Sequence, residues 1–388
     1  MDKIYKIDKT DKTKNKIFFW VLAVVWGLLA LWNIFTPTKE FSESENRNLQ
    51  SFPEFSVEAL LEGKYIDGIN TFLNDQFVGR AYWVSVQTVM EYGLGKREVN
   101  GVYLGDKALF GDMADFEADR TEANIEGINA FAKRYGLPTY VMIIPGSASV
   151  QQEKLPAFAQ SLDEEAYIAQ ANSGFDDEVT PVPVYGVLRE HRQEYIYYRT
   201  DHHWTSYGAY LAYRQLAPVM GLPERNREDF EISTVSAEFY GTHHSKTGFP
   251  FVSPDSIEVY AAGRATGYTV FESKKEKPYP SIYFEDYLNK KDKYSYFLGQ
   301  IQPYVTVYTV SDSGKKLIVF KDSYAHCLIP MLLDDYSEIR LVDLRFINSL
   351  EVDQLLNIPD YDQALFLYST DVFSHQTGPG KLAYNGDR

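Results

Sequence analysis

The segment Lys316-Leu317-Ile318-Val319-Phe320-Lys321-Asp322-Ser323-Tyr324-Ala325-His326 decides the fold class of this chain. Lys316 to Phe320 is a short, almost wholly apolar run, which predicts a strand buried on both faces. The polar pair Asp322-Ser323 ends it, and Tyr324 to Leu333 reads as a helix. The same alternation recurs outward from this point. Downstream, Glu338 to Val342 and Ala364 to Tyr368 read as strands flanking a helix over Ser349 to Asn357. Upstream, Thr139 to Ile144 is a strand stopped by Pro145-Gly146, and a helix over Glu122 to Tyr135 ends at Gly136, a natural C-cap. Between them lie a helix over Glu164 to Ala171, a strand at Pro183 to Tyr185, and helices over Val187 to His191 and Ser206 to Met220. Residues 225–310 read as a β-rich insertion. Strands alternating with helices predict a mostly parallel sheet covered on both faces. Ligands in such sheets bind at the carboxyl ends of the strands.

The N-terminal part reads differently. Ile17 to Phe35 (IFFWVLAVVWGLLALWNIF) carries no formal charge and has the length of a bilayer-spanning helix. Trp20 and Trp32 lie near its ends, where interfacial rings are favoured. Lys3, Lys6, Lys9, Lys12, Lys14 and Lys16 precede it, so the bias of positive charge puts residues 1–16 in the cytoplasm and the rest outside. The rival is a cleaved signal peptide, but Thr36-Pro37-Thr38-Lys39-Glu40-Phe41 lacks the small-residue cleavage pattern. The expectation is a single-pass cell-membrane anchor with an extracellular main domain. The division is then a tail (1–16), an anchor (17–35), a linker with a helical and β extension (36–120), and the sheet domain (121–388). Within the extension, 57–92 has helical spacing, and Asn100 to Asp106 reads as turn, short strand and turn.

Composition narrows the partners. The formal charge of -16 argues against nucleic acid, which needs a basic face. A single cysteine, Cys327, excludes an intrachain disulfide, and that leaves the compartment open. The 30 tyrosines suit a carbohydrate or protein surface, and equally a tyrosine-rich core.

All seven histidines fall at or after His191, and four form the pairs His202-His203 and His243-His244. In Thr200-Asp201-His202-His203-Trp204, the acid two residues before His203 can orient its imidazole, as a general base requires. The competing reading makes Asp201 the cap of the helix that starts near Ser206. Ser323 stands at a strand end on a helix N-terminus, where backbone N–H groups can stabilise an oxyanion. There the competing reading is that Ser323 or Asp322 only caps that helix. Together the two segments supply nucleophile, base and orienting acid, the set needed for acyl transfer. Phe297-Leu298-Gly299-Gln300 offers a weaker oxyanion signal and reads equally as a plain turn. His326, one turn after Ser323, fits a supporting role better than that of base. Adjacent histidines rarely chelate one ion together, and no zinc-type ligand spacing is present, so no metal is expected.

These residues resemble the DHHW family, named for the tetrad that stands here as Asp201-His202-His203-Trp204. That family is related to the SGNH-hydrolase-like domains of alginate O-acetyltransferase proteins. The resemblance extends to Glu45-Asn46-Arg47, Asp75-Gln76-Phe77 with Arg80, Gly241-Thr242, Phe297-Leu298-Gly299, and Asp322-Ser323 followed by Asp343-Leu344-Arg345. It implies an SGNH-hydrolase-like three-layer α/β/α sandwich, circularly permuted because acid and base precede the nucleophile. By resemblance Ser323 is the nucleophile, His203 the base and Asp201 its orienting acid. The oxyanion donors would be the Ser323 backbone, Gly299 and Gln300. Trp204, His202, Asp322, Tyr324 and His326 would support the site. The implied activity is O-acetylation of a cell-surface polysaccharide without a cofactor, with a membrane-bound O-acyltransferase supplying the acetyl group. An acetyl esterase with the same triad and a non-catalytic glycan-binding or assembly protein are the alternatives.

Overall fold

The computed structural model describes residues 2–42, 47–112, 115–262, 268–273, 278–347, 352 and 356–383. The chain divides into two compact units, Met1–Thr88 and Val89–Arg388. In the first, helix α1 (Asp2–Phe35) contains the 23-residue stretch Thr13–Phe35, with a mean hydropathy of 2.2 and none of it buried. It is the one described helix long and apolar enough to cross a membrane, and it suits a single-pass anchor. Strands β1 (Phe41–Ser42) and β2 (Arg47–Asn48) pair, and helices α2 (Val57–Leu61), α3 (Lys64–Asp75) and the start of α4 (Arg80–Gly93) follow. Arg47 grips Asp75 with two hydrogen bonds of 3.0 and 2.6 Å, joining two fragments that are far apart in sequence.

The second unit opens with a small antiparallel sheet of β3 (Glu98–Val99), β4 (Val102–Leu104) and β5 (Leu109–Gly111). Helix α5 (Ala118–Tyr135) then closes at Gly136 in the left-handed region, as its sequence predicts. The central sheet uses β6 (Thr139–Ile144) and β7 (Val179–Pro181), with helices α6 (Ser147–Val150) and α7 (Glu164–Ser173) between them. Helices α8 (Tyr185–Glu190) and α9 (Ser206–Val219) come next, then the hairpin strands β8 (Phe230–Phe239) and β9 (Asp255–Ala262) around helix α10 (Thr242–Thr247). Strands β10 (Tyr268–Glu272), β11 (Tyr304–Thr309), β12 (Lys316–Lys321), β13 (Glu338–Val342) and β14 (Gln363–Ser369) complete it. The seven-stranded order is β10-β11-β13-β12-β14-β6-β7. The pairs from β13 to β7 are parallel, and β10 and β11 add an antiparallel edge.

Alternation along the strands explains the layers. Leu317 and Val319 of β12, Leu365 and Leu367 of β14, and Met142 and Ile144 of β6 share one core with α8 and α9. Ile318 and Phe320, Ala364 and Phe366, and Val141 and Ile143 share the other core with α5 and α7. Both faces are buried, so each strand reads as a continuous apolar run. Each of these side chains other than Ala364 contributes roughly 1.5–3 kcal/mol on burial. The result is the three-layer α/β/α sandwich with a mostly parallel sheet that the sequence predicts.

Some local expectations differ. The strand expected at Pro183 to Tyr185 lies earlier, at β7, because Pro183 has no N–H for a ladder and Val184 already caps α8. The helix expected over Tyr324 to Leu333 is two 3-10 turns, Ser323–Cys327 and Ile329–Leu332. Pro330 removes a donor there and blocks one continuous α-helix. The β-rich stretch 225–310 is divided: β8 and β9 pair apart, whereas β10 and β11 belong to the central sheet. The helix expected over Ser349 to Asn357 falls mostly outside the described residues.

Candidate active site

Strand β12 delivers Asp322 and Ser323 to the carboxyl edge of the parallel sheet. Asp322 caps the 3-10 turn, with Oδ1 accepting the Tyr324 N–H at 2.9 Å. Its Oδ2 accepts the Ser369 N–H and Oγ–H, both at 2.7 Å. One carboxylate thus ties the ends of neighbouring strands β12 and β14 and fixes the turn that presents Ser323. The capping reading holds for Asp322 and leaves the Ser323 hydroxyl free for other work.

The loop bearing the tetrad is a tight reversal. Tyr197 and Trp204 form an antiparallel bridge, the Tyr198 N–H donates to His203 O at 3.2 Å, and the Thr205 N–H donates to Ile196 O at 2.9 Å. Helix α9 is capped by Thr205, whose side chain accepts from the Gly208 N–H, so Asp201 is not that cap. Buried Asp255 holds the loop from below. It accepts from Tyr195 Oη at 2.6 Å, Arg199 N at 2.8 Å, Thr200 N at 2.9 Å and Thr200 Oγ1. Trp204 is fully buried and donates its indole N–H to Tyr324 O at 2.9 Å, joining this loop to the serine turn.

Across that junction runs one hydrogen-bonded line. Asp201 Oδ1 is 2.6 Å from His203 Nδ1, and His203 Nε2 is 2.7 Å from Ser323 Oγ. Asp201 Oδ1 also accepts the His203 N–H at 3.1 Å, and Oδ2 accepts from Thr242 N at 2.7 Å and Thr242 Oγ1 at 2.9 Å. Burial alone would raise the Asp201 pKa. The positive charge available on His202 and His203, with the hydrogen bonds from His203 and Thr242, outweighs it and holds the carboxyl well below its usual range. The His203 ring stacks on Tyr294 at 3.8 Å, and Tyr294 Oη donates to Ser323 O at 3.1 Å. Gly241 closes the clamp. A Cβ there would sit 2.3 Å from Asp201 Oδ2.

The other expected positions separate into near and far. His202 places its Nδ1 2.7 Å from Thr242 Oγ1, and its carbonyl accepts from Tyr324 Oη. His326 is buried and paired with Lys321, Nε2 to Nζ at 2.7 Å, with no hydrogen bond to Ser323 among the described residues. Burial, with the Lys321 charge beside it, holds His326 neutral, and burial lowers Lys321 to about 8. Burial pushes the Cys327 thiol up to about 12, so it is no rival nucleophile. Gly299 and Gln300 sit in a turn in which Leu298 and Gly299 both have positive φ, and neither lines the cavity beside Ser323. The Ser323 N–H opens the 3-10 turn and has no backbone acceptor among the described residues.

That cavity measures about 470 Å³ and includes His202, Thr242, His243, Asp322, Ser323, Tyr324 and Arg345 in its wall. Arg345 is held by Asp343 through bonds of 2.9 and 2.6 Å. His243, from the second histidine pair, is buried with its Nδ1 unpartnered. Asp201, His202 and His203 bring ligand atoms within 4.8 Å of one another, yet a cation there would have to displace the Asp201–His203 hydrogen bond. Sequence reasoning missed Asp255, Tyr294 and Glu164, which reach the site from separate elements and carry no local motif.

The DHHW protein family model matches residues 45–135 and 124–342, most of the chain. The chain belongs to the DHHW family. Among solved structures, a DHHW family protein from Eubacterium siraeum is 22% identical, with 73% of this chain and 95% of that chain aligned and a TM-score of 0.61. PatB1 of Bacillus cereus is 19% identical over 71% of this chain and 98% of its own, with a TM-score of 0.59. Both share the fold. A curated relative named "Probable alginate O-acetylase AlgJ", from Pseudomonas syringae pv. tomato, is 27% identical over 207 residues, 46% of this chain and 51% of that protein. The chain thus spans about half the length of this curated relative.

Proposed function

We propose that this DHHW protein is an O-acetyltransferase acting on a cell-surface polysaccharide outside the membrane. The observation that carries this reading is the unbroken line Asp201, His203, Ser323 at the carboxyl edge of a parallel sheet, beside an open cavity. The name of the curated alginate O-acetylase relative supports the choice of acyl group and acceptor class. Ser323 Oγ attacks the carbonyl carbon of an acetyl donor while His203 Nε2 takes its proton. The oxyanion collapses, and the donor's leaving group departs with the proton from His203. A sugar hydroxyl then gives its proton to His203 and attacks the acetyl-serine ester. Ser323 Oγ leaves and regains the proton, and the sugar carries the acetyl group. Asp201 holds the imidazole in the needed tautomer and stabilises its charged form. The Ser323 N–H is the oxyanion donor in this reading, and Gly299 and Gln300 have no part in it.

In the same reading α1 anchors the chain with its lysine-rich end in the cytoplasm, and a membrane-bound O-acyltransferase supplies the acetyl group. The test uses the full chain in detergent with 4-nitrophenyl acetate and intact-protein mass spectrometry. The expected result is one added acetyl group on Ser323, lost in Ser323→Ala and His203→Ala. Unchanged turnover in both variants would sink the triad. Acetyl-enzyme that yields only acetate with every glycan offered assigns an esterase. A chain that neither cleaves the ester nor becomes acetylated is a binding or assembly protein.

A further inference from the structure

Glu164 differs from the three buried carboxylates that hold the tetrad loop and the serine turn. Asp201, Asp255 and Asp322 each have both oxygens engaged by protein donors. Glu164 is as deeply buried, at 3% exposure, yet only Oε2 is engaged. That oxygen accepts from Gly146 N at 2.7 Å and Thr370 Oγ1 at 2.6 Å. Oε1 accepts no hydrogen bond from the described residues, and no cation pairs with it among them. Oε1 instead opens onto the cavity with its acceptor capacity unused by the protein, as a ligand-binding oxygen does.

The position says what that ligand meets. Gly146 follows β6, Ser323 follows β12, and Thr370 follows β14, and these three strands are neighbours in the order β12-β14-β6. Glu164, Gly146, Thr370 and Ser323 all line the same cavity. Gly146 has φ -75 and ψ 159, which any residue adopts, so its lack of a side chain is not a backbone requirement. A Cβ there would lie 3.2 Å from Glu164 Oε1 and would crowd that oxygen. Ser147, Gln160, Ser161 and Gln376 add uncharged polar groups to this wall, beside Leu162, Asp371 and Val372.

We propose that Glu164 Oε1 is the anchoring acceptor of a carbohydrate subsite beside Ser323, taking a hydrogen bond from a ligand hydroxyl. The inference deepens the acyl-transfer reading and rests on it for the nature of the ligand. The geometry distinguishes two substitutions. In Glu164→Gln, the amide oxygen keeps the bonds from Gly146 and Thr370, and an N–H₂ group replaces Oε1, so an acceptor becomes a donor. Gly146→Ala leaves Glu164 intact and fills the space before Oε1. The full chain in lipid nanodiscs is titrated calorimetrically at pH 8 with cellotetraose, chitotetraose and a mannuronate tetrasaccharide, one at a time. At least one binds the wild type, and both variants weaken it roughly tenfold or more, the size of a lost hydrogen bond to a charged group. Thermal melts identify any variant that fails to fold, and the other then decides. Wild-type chain that binds none of the three, or a folded variant that binds as tightly as wild type, overturns the subsite. Acetylation of wild-type Ser323 is measured on the same preparation. Its absence sinks the acyl-transfer reading and leaves the binding result standing.

Discussion

Gly241→Ala perturbs the catalytic line without replacing any of its residues. Gly241 has φ -83 and ψ -161, an extended conformation open to any residue, so alanine brings no backbone strain. The cost is steric. The added Cβ would lie 2.3 Å from Asp201 Cβ and Oδ2 and 2.6 Å from Cγ, roughly 1 Å inside ordinary contact. Asp201 has little room to retreat, because Oδ1 holds both the amide and the ring of His203. The 241–242 backbone cannot withdraw freely either. The Gly241 N–H donates to Thr200 Oγ1 at 3.0 Å, and the Thr242 N–H donates to Asp201 Oδ2. A displacement of about 1 Å must therefore reach the carboxylate. Misplacement of that size costs roughly 100-fold in rate, or about 2.7 kcal/mol of activation free energy. Overpacking costs a further 1–3 kcal/mol or so of stability. Single-turnover acetylation of Ser323 by 4-nitrophenyl acetate reads the first quantity, and thermal denaturation reads the second. Gly186→Ala is the control, since a Cβ at that helical position meets nothing within 4 Å. It should be neutral or stabilising by up to about 1 kcal/mol. Folded Gly241→Ala protein that acetylates at the wild-type rate refutes the idea that this contact sets the triad.

Asp201→Asn keeps the shape of the acid but favours the wrong His203 tautomer, and acetylation should fall by roughly 10⁴ in a stopped-flow assay, on the scale seen for such triads. Asp255→Asn leaves buried donors of the tetrad loop unpaired, which should cost roughly 2–5 kcal/mol in a chemical melt and lower activity through the loop. The Glu164 carboxyl is raised by burial from 4.5 to about 7. The folded state therefore binds more protons than the unfolded state across that window, and wild-type stability should fall as pH rises from 4.5 to about 7. Melts at stepped pH should show this slope flattened in Glu164→Gln, and an identical slope would mean that Glu164 does not titrate there.

The strands of the sheet were legible because burial on both faces leaves no polar residue to interrupt them. Lys316 to Lys321, Thr139 to Ile144 and Gln363 to Ser369 stand where their apolar runs place them. The sheet's edges were not legible. Whether β10 and β11 join the central sheet depends on the pairing of Tyr304 to Tyr308 with Glu338 to Val342, a contact between distant segments with no local trace. The serine turn misled for a local reason, since Tyr324 to Leu333 has helical spacing and Pro330 interrupts a continuous α-helix. The supports of the site were out of reach in principle. Asp255, Tyr294 and Glu164 lie tens of residues from the tetrad, and nothing in their own neighbourhoods says which loop they face. Gly241-Thr242 stood out only through the family resemblance, and its reason is the steric one given above.

Spacing left the role of Asp201 open between orienting His203 and capping the next helix, and the structure gives a local reason for the first. An aspartate side chain readily accepts from the backbone N–H two residues on, the usual Asx-turn geometry. Asp201 does so, with Oδ1 on the His203 N–H at 3.1 Å. That bond brings the carboxylate beside the same residue's ring, where Oδ1 meets Nδ1 at 2.6 Å and leaves Nε2 directed at Ser323. The intervening His202 lies farther from that oxygen, at 3.5 Å, and its Nδ1 pairs with Thr242 Oγ1. The acid therefore meets its histidine through a contact local in sequence. The rest of the fold supplies what that turn lacks: the clamp from Gly241-Thr242, the loop support from Asp255, the Tyr294 ring against His203, and the serine at the end of β12.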